Sequence, residues 1–486
     1  LTSNGAALPA RVAVIGGGFC GAFFAAQLAE FSRHPVTISV IEPRAMLGGG
    51  VAYSSTDPAH RINVPASRMT LFPETPAHFD EWFRRSGELE TDPEAIWRDG
   101  NAYPRRAIFG RYVAQIVASR RHAGAGVSIE HVRDTAISVE RTGAGYAIQT
   151  AQGGRIEAGI VVLATSHPPP GLPARIAHLA DDPAVIANPW QHDALQNVAP
   201  HEEVLIIGAG LTMADVVASL TRRGHKGHIT AFSRRGLLPR GHAKIPTPAG
   251  YSWLSSQEPP LGLLQLLRRT RAMVAAAPEN NLPWQAVFDD VRANGQRLWR
   301  GFDVTERRRF LRHLRVYWDA HRYRIAPQVE QVLVDRQQDK SLRVLAASIR
   351  SAARRDNKID IVLQPRRRSV DQAERIAVDR VIITTGPAHG TVVEQNPALG
   401  SLSAQGLLQA DELGLGVKVD GFGHAINSNG TINPSLLVVG PLAREQYGEL
   451  MGLPQVAAQP NAVALHVARH LDEVSAVFDE YRAQSA

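Results

Sequence analysis

A short apolar run with a β-branched majority, closed by glycines and followed by an alanine-rich helical pattern, occurs twice in the chain. The first copy runs Val12 to Ile15, Gly16-Gly17-Gly18, then Phe19 to Phe31; the second runs Val204 to Ile207, Gly208-Ala209-Gly210, then a helix to Arg223. This order predicts strand, tight turn and helix in each case. A second apolar run follows each helix, Val36 to Ile41 and His228 to Phe232. Later strands are predicted at Ile160 to Thr165, at Asp379 to Thr385 before Gly386-Pro387, and at Ser435 to Val439 before Gly440-Pro441. A closing helix is predicted from Gln455 to about Leu471. Between Gln257 and Ile325 the glycine and strand signals give way to helical spacing over Leu261 to Ala277, Trp284 to Arg300 and Thr305 to Arg324. The last of these puts Phe310, Leu314, Tyr317, Trp318 and His321 on a packing face and Arg308, Arg312, Arg315 and Arg322 on a basic one.

These elements describe an α/β chain with two Rossmann-like dinucleotide-binding domains, the second inserted in the first, and a helical insertion. The expected division is 1–186 and 388–486 for the first domain, 187–256 and 326–387 for the second, and 257–325 for the insertion.

The chemistry of the turns explains their composition. Gly16, Gly18 and Gly21 complete G-x-G-x-x-G: the first permits the turn, the second admits a pyrophosphate against the backbone, and the third lets helix and strand pack closely. The second strand ends at Glu42, where a carboxylate accepts hydrogen bonds from an adenosine ribose and disfavours a 2′-phosphate. In the second copy Met213 stands at the third glycine position and Ala214 can supply the small contact. There the strand is followed by Ser233-Arg234-Arg235, a hydroxyl and guanidinium set that suits a 2′-phosphate and so favours NADPH over NADH. A solvated surface pair is the alternative reading of the two arginines.

Composition narrows the setting. The 486 residues are 44% hydrophobic and 20% charged, which fits two or three globular domains. The net charge of +7 favours anionic ligands without choosing among them. Cys20, the sole cysteine, leaves no disulfide and no cysteine-based metal site, and a reducing, cytoplasmic location is expected. It stands inside the first turn, where a small buried residue is the simplest account. The 18 histidines show no metal spacing. The segment Leu1 to Arg11 lacks a signal-peptide pattern and starts without methionine, as after processing. The most apolar stretch, Val12 to Ala29, is interrupted by glycines, so no membrane span is expected. Arginines interleaved with Tyr317, Trp318 and Tyr323 raise a nucleic-acid reading, but two dinucleotide fingerprints already account for anionic ligands, and none is expected.

Three segments carry a likeness. Gly16-Gly17-Gly18-Phe19-Cys20-Gly21, His60-Arg61-Ile62-Asn63-Val64-Pro65 and Gly210-Leu211-Thr212-Met213-Ala214-Asp215 resemble the two-dinucleotide-binding flavoproteins, specifically the FAD/NAD(P)-binding proteins related to flavin-dependent N-hydroxylating monooxygenases. Ser233 to Arg240 and Tyr317 to Arg322 extend the likeness. The resemblance implies FAD at the first fingerprint and NADPH at the second, where Gly208, Gly210, Leu211 and Thr212 join Ser233, Arg234 and Arg235. It places Arg44 and the glycine loop Gly48-Gly49-Gly50 beside FAD, with Thr165 and Gly440 at the strand ends that border it. His60, Asn63 and Val64 fall near the flavin ring, and Asn63 is the first catalytic candidate, an amide able to bond flavin N5 or the peroxide; a turn asparagine is the alternative. Arg322, with His321, is the candidate substrate or NADPH contact, against a solvated basic face for the other arginines. The pocket is expected between the insertion and the closing segment near Tyr447, Glu449, Leu450 and Gln455. Two departures stand out: Ser166 replaces glycine after the first crossing strand, and Gly440-Pro441 replaces Gly-Asp.

The implied activity is oxygen insertion into a small polar or anionic substrate, an amine nitrogen being one acceptor. NADPH would reduce FAD, molecular oxygen would add, and a peroxyflavin would transfer one atom. A flavin-dependent NADPH reductase without oxygen insertion is the alternative enzyme, and a nucleotide-sensing protein without turnover is a third reading.

Overall fold

The computed structural model describes residues 10–121, 126–165, 167–255, 259–366 and 372–485. Ser166 lies outside them. The first sheet has six strands in the order His424–Ile426, Ile432–Val438, Ile160–Leu163, Ala10–Ile15, Val36–Ile41 and Val127–Val132. All neighbours are parallel except the His424–Ile426 edge. Val12, Ala13, Val14 and Ile15 are all buried, as a central parallel strand covered on both faces requires. One covering layer is the helix Phe19–Phe31, whose residues Gly21 to Ala29 are all buried because it is packed against both Arg106–Ser119 and Gln455–Ser485.

The second sheet is built from Val185–Ile186, Arg380–Ile383, Val204–Ile207, Ile229–Ser233, Leu342–Arg355, Lys358–Pro365 and Glu374–Val378, in that spatial order. Its first five strands are parallel and its last three form an antiparallel meander. The chain therefore leaves the first sheet after Leu163 and returns to it only at His424–Ile426, which is the inserted α/β topology expected from the two fingerprints. The outgoing and returning crossings touch: Pro170 bridges Pro387, and the Thr385 hydroxyl donates to the Gly171 carbonyl at 2.8 Å. A three-stranded antiparallel sheet, Ala136–Thr142, Gly145–Thr150 and Arg155–Ala158, links Val127–Val132 to Ile160–Leu163. Its alternation is too short and too polar to announce itself, and neither it nor the meander is apparent from the sequence.

The insertion departs from its expected form. Trp284 to Arg300 is broken at Asn294 into Trp284–Ala293 and Gly295–Gly301. Thr305 to Arg324 is three pieces, Val304–Arg309, a π-turn over Phe310–Leu314 and Arg315–Arg322. A π-turn adds a residue to the turn and rotates the later residues by about 100° around the helix axis. The packing and basic faces consequently exchange members: Tyr317 is 41% exposed and Arg322 only 7%. The insertion packs on the closing segment, with Trp299 Nε1 donating to the Glu445 carbonyl at 2.6 Å and Arg307 paired with the Glu445 carboxylate at 2.6 Å. Among the described residues no helix is long and apolar enough to cross a membrane.

A polar seam joins the two dinucleotide units. Arg106, at the start of Arg106–Ser119, donates to the Asp215 carboxylate on Leu211–Arg222 at 2.8 Å and to the Arg61 carbonyl at 2.9 Å, and its guanidinium lies 5.2 Å from the Trp190 ring. Arg106 and Asp215 are both buried. Removing one member strands the other charge, so Arg106→Met and Asp215→Asn are each expected to cost about 3–5 kcal/mol in chemical denaturation. The double variant should lose no more than the worse single, because the pair then disappears together. Additive losses would show that the two residues act separately.

Candidate functional site

The first fingerprint is built by contacts that only glycine allows. A Cβ on Gly21 would lie 1.9 Å from the Gly16 carbonyl oxygen, and one on Gly16, at φ +104°, would lie 2.4 Å from the Ala164 carbonyl oxygen. Gly50 of the glycine loop presses on Gly18, and the Gly48 amide donates to the Gly17 carbonyl at 2.8 Å. The helix Phe19–Phe31 thus presents its N-terminal amides under a backbone-walled cleft, the geometry that accepts a pyrophosphate. Glu42 is buried, one oxygen held by the Gly17 amide at 3.0 Å and the other by the Arg44 amide and guanidinium at 3.1 and 2.9 Å. Oε2, which accepts only from Gly17, keeps a lone pair for a ribose hydroxyl. Thr165 Oγ1 is buried without a partner at the end of the neighbouring strand. The cradle fits FAD. Gly440 is placed otherwise than as an amide donor to ligand: its N–H donates to Gln459 Oε1 at 2.9 Å, and its missing Cβ makes room for Cys20 Sγ.

The second fingerprint repeats the turn with more space. A Cβ on Gly208 would lie 2.3 Å from the Thr384 carbonyl oxygen, whereas nothing lies within 4 Å of the Gly210 position. Met213 is fully buried, so the helix tolerates a large residue at the third position. Leu211 and Thr212 form the first turn of Leu211–Arg222. Ser233 ends its strand and accepts from the Gly236 amide at 2.9 Å, Arg234 is exposed, and Arg235 lies 5.6 Å from the Tyr317 ring. Neither arginine has a carboxylate partner among the described residues, which leaves hydroxyl and guanidinium groups for a 2′-phosphate.

Where both units meet the insertion there is a cavity of about 310 Å³. Val64 and Arg68 reach it from the first unit, His242 from the second, Arg292, Arg322 and Arg324 from the insertion, and Leu453-Pro454 from the closing segment. Arg322 pairs with Glu449 at 2.8 Å and Arg324 with both oxygens of Asp289 at 2.6 and 3.0 Å. Arg292 contacts only the Leu453 carbonyl and Gln455 Oε1 among the described residues. Burial, reinforced by the neighbouring Arg322 charge, pulls the Arg292 guanidinium down to about 10. Asn63, half-buried and next to Val64, accepts through its backbone carbonyl from His242 Nε2 at 2.8 Å, while its side-chain amide has no partner among the described residues.

His60 takes a different position. Its Nδ1 meets the Ser55 hydroxyl at 2.6 Å and its Nε2 the Ser219 hydroxyl at 3.1 Å, so both ring nitrogens are engaged in the seam between the units. Burial lowers its pKa. Arg68, His242, Arg292 and Arg324 do not stand out in the sequence. The helix expected to reach Arg324 ends at Arg322, and the extended Tyr323, at φ −91° and ψ 84°, brings residues 322 and 324 to one side, where a continuing helix would separate them. Among the described residues no group of three or more His, Cys, Asp or Glu is placed to hold a metal.

Residues 13–168 match the FAD-NAD(P)-binding family model. No curated protein matches the sequence. Among solved structures the chain is similar to the reduced form of an ornithine hydroxylase from Pseudomonas aeruginosa, at 12% identity and TM-score 0.61 over 96% of this chain and 100% of that one. It is also similar to an ornithine N-hydroxylase from Kutzneria sp. 744 in complex with reduced FAD, NADP+ and L-ornithine, at 16% identity and TM-score 0.59 over 95% and 100%. An L-lysine 6-monooxygenase from Pseudomonas syringae gives 14% identity and TM-score 0.60 over 96% and 99%. At these identities the likeness is one of fold.

His242 carries a pH signature. Because the Asn63 carbonyl can only accept, His242 Nε2 holds the ring hydrogen, and burial lowers the imidazole pKa to about 4. An unfolded histidine binds its proton near 6.5. Between these values the unfolded chain binds more protons, so stability falls as pH drops from about 6.5 towards 4. Thermal midpoints measured across that window should decline less steeply in His242→Asn than in the parent chain; an unchanged slope would assign the decline to other groups.

Proposed function

We propose that the protein is an FAD- and NADPH-dependent monooxygenase that hydroxylates a small polar or anionic substrate at an amine nitrogen. The observation that carries this reading is the arginine-lined cavity beside Asn63, at the junction of two dinucleotide cradles and the insertion. FAD, when bound, supplies the reduced flavin that reacts with oxygen. The chain supplies the rest. Glu42, Arg44 and the loops at Gly16, Gly18, Gly21 and Gly50 hold the adenosine and pyrophosphate of FAD. The second cradle, with Gly208, Gly210, Leu211, Thr212, Ser233, Arg234 and Arg235, holds NADPH. Asn63 offers an unengaged amide to the reacting atoms, and Arg322, fixed by Glu449, positions the substrate anion. Leu453, Pro454 and the insertion wall the cavity and limit entry of water.

Cysteine chemistry speaks against a dithiol reductase on the same fold. Cys20 is the only cysteine, it is pressed against Gly440, and burial pushes its thiol up to about 12. A thiol that stays protonated at physiological pH is neither a nucleophile nor half of an exchange pair.

Two substitutions test the reading. Arg234→Ala should raise KM for NADPH about tenfold and leave KM for NADH unchanged, as loss of one charge-assisted phosphate contact requires. Asn63→Ala should keep NADPH oxidation while hydroxylated product per NADPH falls roughly tenfold or more and hydrogen peroxide takes its place. Equal coupling in parent and variant would remove Asn63 from the reaction, and peroxide as the sole product of the parent with every amine would remove oxygen insertion.

A further inference from the structure

Four guanidinium groups, those of Arg68, Arg292, Arg322 and Arg324, line the cavity, and two carboxylates, Asp289 and Glu449, balance them. Glu449 is committed to Arg322. Asp289 is committed to both nitrogens of Arg324 and reaches Arg68 only at 3.9 Å. Arg292 has no carboxylate partner among the described residues. The Nε atoms of Arg292, Arg322 and Arg324 are buried and unpartnered, although Arg322 and Arg324 are each only 7% exposed. The buried Nε of Arg292, on a side chain with no carboxylate partner, is unfavourable until an anion arrives, and Arg68, 63% exposed, adds a second uncancelled charge at the solvent side of the cavity.

We infer that the cavity is the recognition site for a small dicarboxylate, one carboxylate lying against Arg292 and the other against Arg68. A planar guanidinium fork matches a carboxylate with two parallel hydrogen bonds, and two such anions cancel the excess. Among the described residues no acid lines the cavity, so diamines and basic amino acids, whose ammonium groups outnumber their carboxylates, are disfavoured there against amines that carry two carboxylates. The volume, about 310 Å³, is at the small end of ligand pockets. Resting on the reading above, the inference makes the substrate an amine that carries two carboxylates, an acidic amino acid being the simplest.

The test is calorimetric titration of the FAD-loaded protein at low salt with succinate, acetate and 1,4-diaminobutane. Succinate is expected to bind at least tenfold more tightly than acetate, with no binding of the diamine. Arg292→Gln should weaken succinate at least tenfold at unchanged FAD content, and Arg292→Lys should restore part of the loss. If Arg292→Gln does not fold, Arg68→Gln, on a 63% exposed side chain, serves in its place. Succinate no tighter than acetate, binding of the diamine, or unchanged succinate affinity in the charge-removing variant would overturn the inference. Turnover with aspartate and glutamate separates the two levels. Succinate binding with peroxide as the only product of either amino acid refutes oxygen insertion and leaves the dicarboxylate site standing. Hydroxylation of ornithine without succinate binding does the reverse.

Discussion

The buried ion pair between Arg106 and Asp215 ties the two nucleotide units together, and the cavity lies where those units meet the insertion. Arg106 opens the helix Arg106–Ser119 behind the flavin cradle, and Asp215 stands one turn into the helix Leu211–Arg222 of the second unit. A buried pair is satisfied in one geometry, since a shift of either helix strands a charge in a desolvated seam. His60, bonded to Ser219 and packed on Trp190, and Trp190, under the Arg106 guanidinium, reinforce that geometry. Asp215 thus gains a meaning that a dinucleotide motif alone does not supply: it ties the unit that carries it to Arg106.

From that docking the charge balance of the cavity follows. The His60 to Pro65 segment leaves the seam and runs into the cavity wall at Val64, while the insertion delivers three arginines to the opposite side. Each arginine is fixed by a different means: Glu449 for Arg322, Asp289 for Arg324, and carbonyl and amide oxygens for Arg292. Neutral acceptors hold a guanidinium without cancelling its charge. A site built this way presents oriented guanidinium groups before ligand arrives and remains electrostatically incomplete, and such pre-organisation of side chains lowers the cost of ordering the receptor.

Much of the fold was legible because its signals are local. Strand, glycine turn and helix each fit within about a dozen residues, and the contacts at Gly16 and Gly21 allow no other side chain. The closing strand Ile432–Val438 was legible for the same reason, a continuous apolar run before Gly440, whereas the edge strand His424–Ile426, where the chain re-enters the sheet, was not. The candidate site was legible in part. Glu42 follows its strand and Ser233 ends its own at positions set by the fingerprints, and Arg322, singled out by its place at the insertion's end, lines the cavity. Arg292, His242 and Arg324 were hidden because their role comes from three distant segments meeting, and periodicity is blind to that. The π-turn at Phe310–Leu314 hid more, since one added residue moves every later side chain around the helix. Arg322 consequently sits in the interior rather than on the solvated face that a continuous helix would give it.

The same constraints say which part of the molecule can admit a substrate. The crossings at Pro170 and Pro387 are bridged to each other and would act as a single pivot, but rotation about it pulls Arg106 from Asp215. The insertion is held to the closing segment by Trp299 and Arg307 on Glu445, by Arg322 on Glu449 and by Arg292 on the Leu453 carbonyl and Gln455. Of these only the Arg322–Glu449 pair is buried, and the inferred ligand carboxylate meets Arg292, on the same insertion. Entry by displacement of the insertion therefore loosens contacts that a new charge-assisted one at Arg292 offsets, whereas entry by domain rotation would break a buried pair with nothing to replace it. The energetics favour a fixed pair of nucleotide units and a yielding helical wall.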